Sequence, residues 1–176
     1  MTAPKDITDR NTQQRDGGVA AREASNANAA KPVSKSELLA LLNTLLEAER
    51  AGAKVLAVFL DDYVADRDTW RQLRRVQRDE ASNCSILMKL IVDLGATPSK
   101  STGDFVAKAL AVQGNAERLN FLNRGQGWVA RTIRDNLPRI ADSAVQLALQ
   151  AMLDSHVANI EACAALIGPQ GQSPHR

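Results

Sequence analysis

Residues 34–59 read SKSELLALLNTLLEAERAGAKVLAVF, and the fold can be worked outward from this stretch. Ser34 and Glu37 have the spacing of a capping box, placed just before an apolar run. Leu38, Leu42, Leu45, Glu49, Gly52, Leu56 and Phe59 then recur in steps of three and four, the period of one helix face. Glu49 interrupts that apolar seam. Glu47, two residues earlier, shares the opposite face with Asn43, Arg50 and Lys54 and is expected to be solvated.

Three further stretches repeat the pattern. The second is expected to begin at a cap on Asp66 or Asp68. It carries Trp70, Leu73, Val76, Glu80, Asn83, Leu87, Leu90 and Leu94 on its seam, and Gly95 is a natural stop. The third aligns Leu119, Leu122, Gln126, Val129 and Ile133. Gly125 and Gly127 flank its polar residue, and each costs about 1 kcal/mol against alanine inside a helix. Close approach of a neighbouring helix would explain them, and so would a helix distortion or a ligand lying against the backbone. The fourth starts after Pro138, is expected to be capped by Asp142, and ends at Gly168-Pro169. Its seam is Val145, Leu149, Met152, His156, Asn159, Cys163 and Leu166. Every seam thus has a polar interruption near its middle, and buried polar groups are costly unless paired, hydrogen-bonded or bound to a metal.

Composition narrows the class. Apolar residues are 44% of the 176-residue chain but aromatics only 3%, which suits helices packed on helices. The net charge of +2 implies no nucleic-acid partner. No apolar run approaches the roughly 20 residues that span a bilayer, so no membrane association is expected. The absence of a secretory core makes a cytoplasmic location the expectation. Cys84 and Cys163 lie on apolar seams and read as inert buried thiols, although Cys84 sits one turn from Glu80. Arg67, Arg71, Arg74 and Arg78 form a stripe that reads as a solvated face, with an anion or partner surface as the alternative.

The expected organisation is a disordered, nearly neutral arm over 1–33, a helical domain over 34–168 and a disordered tail over 169–176. The roughly twenty residues before Asn115 exceed what an antiparallel hairpin needs and allow a crossover between the second and third helices.

The segments LLEAERAGA, DEASNCSIL, FLNRGQGWV and LDSHVANI, taken together, resemble the ferritin-like superfamily and a bacterial ferritin-like domain family without an assigned activity. The resemblance covers roughly residues 35–167. It implies an all-α, ferritin-like four-helix bundle with a long crossover between helices two and three, and homodimerisation. It also implies a metal site. Glu49, Glu80 and His156 occupy places of the family's di-iron ligands, whereas Asn83, Gln126 and Leu153 stand where further ligands belong. Two carboxylates cannot balance two metal cations, so a di-iron oxidase is not expected. One reading is a single iron or manganese ion on Glu49, Glu80 and His156, supported by Asn83, Gln126 and Asn159. A second is a metal-free hydrogen-bonded network that fixes helix register, with Glu49 and Glu80 sharing a proton or flanking a protonated His156. A small-ligand pocket or a thiol role is the third.

Overall fold

The computed structural model describes residues 31–167, and among them the only regular elements are helical. They are α1 (Lys35–Phe59), α2 (Arg67–Asp93), α3 (Phe105–Ala111), α4 (Asn115–Asn136) and α5 (Ser143–Ile167). Short 3-10 turns follow α1 and α4. The four long helices are the four stretches expected from periodicity. The arm expected over 1–33 lies outside the described residues up to residue 30, as do the Gly168-Pro169 stop and the tail.

Local chemistry sets the helix ends. Ser34 Oγ accepts from Glu37 N at 3.2 Å, while Ser34 N donates to Glu37 Oε2 at 2.7 Å, so two otherwise orphaned donors are satisfied reciprocally. Asp66 accepts from the backbone N–H groups of Asp68 and Thr69, and Asp142 from those of Ala144 and Val145. After α2 the chain turns through Gly95 at φ +78°, a conformation glycine adopts without steric cost, and Ala96 N donates back to Ile91 O.

Two hairpins dominate the packing: α1 lies along α2, and α4 along α5. α2 also meets α5, and α1 meets α4, so the long helices close on one another around a shared interior. That interior is not uniform. One apolar cluster holds Leu42, Leu45, Leu46, Leu87, Ile133 and Leu149; another holds Val55, Leu56, Phe59, Leu73, Leu119 and Cys163. Fully burying one such side chain stabilises by about 1.5–3 kcal/mol. On every long helix the polar interruption falls between its contributions to the two clusters.

The connection from α2 to α4 is tied down along α1. Arg50 Nη1 donates to Ser99 O at 2.6 Å and Ser101 O at 3.2 Å, Asn43 Oδ1 accepts from Ser99 N at 2.7 Å, and Glu47 accepts from the Ser99 hydroxyl. Farther on, Arg118 at the start of α4 pairs with Asp62 after α1, at 2.6 Å. The expectation that Glu47 is solvated is therefore corrected. The polar face of α1 serves as the seat of the connection, because a loop needs partners for its backbone groups wherever it leaves water.

Candidate functional site

The buried polar and charged side chains among the described residues are Glu49, Glu80, Asn83, Gln126, His156 and Asn159. They are the six seam interruptions, and they form a layer between the two apolar clusters. Leu153, where the family resemblance places a glutamate, is buried in the first cluster instead.

Glu49 is the hub. Its side chain is wholly buried, Oε2 accepts from Asn83 Nδ2 at 2.9 Å, and Oε1 lies 2.7 Å from His156 Nε2. Charge-assisted hydrogen bonds of this length are stronger than neutral ones, the more so away from water. The Glu80 carboxyl completes the group by hydrogen-bonding to Glu49. Burial, then the Glu49 charge, then that bond push the Glu80 carboxyl well above the ordinary glutamate value of 4.5, so it keeps its proton and donates. Two adjacent desolvated carboxylates would otherwise repel.

Gly52 makes room for this arrangement. It lies one turn beyond Glu49 on α1, and a Cβ there would stand 2.5 Å from Glu80 Oε2 and 2.8 Å from its Cδ. The glycine is thus required by the opposite carboxyl, not by backbone conformation. Gly125 has a similar cause: a Cβ would come within 2.7 Å of the Phe105 ring, which reaches α4 from the short helix α3 and packs on Phe121 with ring centroids 5.1 Å apart. At Gly127 a Cβ would meet nothing closer than the end of Arg131, at 3.4 Å, and nothing in the structure explains that glycine.

The other side of the layer is less complete. Both amide atoms of Gln126 and the Nδ1 of His156 are buried without a hydrogen-bonding partner. They belong to residues that line a cavity of about 30 Å³, together with Glu80, Phe105 and Gly125.

A transition metal needs deprotonated ligands turned toward one point. Here the two Glu49 oxygens face Asn83 Nδ2 and His156 Nε2, and the Glu80 carboxyl, raised by burial, faces Glu49. Among the described residues no three His, Cys, Asp or Glu side chains are arranged to hold a metal ion.

The thiols stand apart from this chemistry. Burial pushes Cys84 up to about 11 and Cys163 up to about 12, with nearby glutamates adding to both, so neither is a thiolate near neutrality. On the arginine stripe, Arg71 pairs with Asp68 and Arg74 donates to Gln77, while Arg71, Arg74, Arg75, Arg78 and Trp70 border a shallow groove. Both residues of the Arg71–Asp68 pair are largely exposed, so that pair contributes little.

Residues 36–165 match the model of a family described as a domain of unknown function, DUF6306. No curated protein and no solved structure matches the chain. Among the described residues, no helix is long and apolar enough to cross a membrane.

Proposed function

We propose, for a chain that belongs to the DUF6306 family, a ferritin-like four-helix bundle whose internal site works by proton sharing instead of metal ligation. In this reading the residues 94–114 form the crossover between the two hairpins. The protein is a structural or interaction module without a resident metal. The observation that carries it is the Glu49 hub, with one carboxylate taking three partners from two other helices, α2 and α5, and its neighbour kept neutral. Such a network favours a single axial alignment. A slip of any helix by one turn would set Glu49 or His156 among leucines, where an unpaired charge is strongly disfavoured. Homodimerisation and a cytoplasmic location belong to the same proposal through the family resemblance.

A second reading keeps one iron or manganese ion on Glu49, Glu80 and His156. What favours it is the set of unpaired atoms, on Gln126 and His156, that border the same cavity as Glu80. Metal entry would have to displace the Glu80 proton and break the Glu49–His156 bond. Elemental analysis of untagged protein separates the two readings. The proton-sharing reading expects well under one metal per chain, and replacement of Glu80 or His156 by Ala then changes stability alone. Near-stoichiometric iron or manganese, lost in those variants, would overturn it.

A further inference from the structure

The polar atoms that the Glu49 hub leaves over surround a space of definite size. Water requires about 10–15 Å³ of such volume and two to four polar partners. The cavity offers about 30 Å³, bordered by Glu80, Gln126 and His156. The Gln126 amide supplies a donor and an acceptor, neither of them engaged within the protein. His156 Nδ1, also unpartnered, becomes an acceptor once Nε2 carries the hydrogen donated to Glu49. Left unpaired in an apolar surrounding, each of these atoms would weaken the fold.

We propose that this cavity is a binding site for a water-sized neutral molecule, in the native protein one or two ordered waters, held between the Gln126 amide and His156 Nδ1. The site rests on the metal-free reading, because a metal ion held by Glu80 and His156 would compete for the same space. The occupant joins the polar groups of α4 and α5 to the hub on α1 and α2 and completes the layer across all four helices. Phe105 closes it. The ring comes from the connection between hairpins and fits against Gly125, which has no side chain to hold it off.

The experiment is water–protein cross-relaxation by NMR on the full chain, read at the Gln126 side-chain amide hydrogens, with metal content measured on the same sample. Cross-peaks of the sign given by long-lived water are expected, and Phe105→Ala should shorten the residence time. Gln126→Leu removes the reporting amide, so Val129→Ile provides a second check: it narrows the cavity, keeps every polar group, and should abolish the cross-peaks at Gln126. A metal-free sample without long-lived water at Gln126 would overturn this site and leave the proton-sharing proposal standing. A sample carrying about one metal per chain would overturn both.

Discussion

Glu49 and Gln126 occupy one layer and are buried almost equally, at 0% and 3% exposure, yet their surroundings are opposite. Glu49, on the α1–α2 side, has each oxygen engaged by another helix. Gln126, on the α4–α5 side, has neither amide atom bonded to protein and borders a cavity. Depth of burial is therefore a poor guide to the energetic role of a polar side chain. What decides it is whether removing the group strands its partners.

The largest effect should come from breaking the engaged side. Glu49→Ala strands Asn83 and His156 and removes the acceptor for the Glu80 proton. A loss of about 3–5 kcal/mol is expected in denaturant unfolding. A loss under 1 kcal/mol would mean that the hub does not organise the layer. Next in size is Gly52→Ala, which drives a methyl into the Glu80 carboxyl. Overpacking of this kind costs about 1–3 kcal/mol, and suppression of that cost by adding Glu80→Ala would trace it to this contact.

The unengaged side should respond weakly. Gln126→Leu removes two unpaired polar atoms and strands no protein partner, so the midpoint of unfolding should move by about 1 kcal/mol or less, in either direction. A loss comparable to that of Glu49→Ala would erase the contrast between the two sides.

The effect that is smallest in acid, and the most diagnostic across pH, concerns Glu80→Gln. The folded protein holds the Glu80 proton more tightly than the unfolded chain does. Stability from this group is thus fully present below pH 4.5 and declines as pH rises above that value toward the raised folded-state value. Gln mimics the protonated carboxyl without titrating. The variant should match wild type in acid and lack this downward slope as pH rises. Identical pH–stability curves would mean that Glu80 does not hold a proton in the fold.

How much of this was legible beforehand depends on the kind of information. The six buried polar residues were readable because a helix repeats every 3.6 residues, and a polar residue in phase with leucines must share their burial. The caps at Ser34, Asp66 and Asp142 were readable because capping is local. Partners were not. Period separates Glu49 from Glu47 by face, but it cannot show that Glu47 meets Ser99, since that contact depends on the path of a loop some fifty residues away. Gly125 posed a similar difficulty. Its neighbour proved to be a ring from α3, which the sequence marks only as a short amphipathic piece. Nor could spacing tell which atoms of the layer would be paired, because that is settled by side-chain direction across three interfaces.

The buried thiols have a practical consequence. At neutral pH a thiol that burial pushes up to about 12 stays protonated, and at Cys163 the closed structure also bars the reagent. Alkylation of Cys163 must then wait for the helices to part, and its rate follows the population of opened molecules. Cys84, only half buried, should react earlier. The chain thus carries a built-in clock for its own opening, which a mass spectrometer can read without any introduced label site.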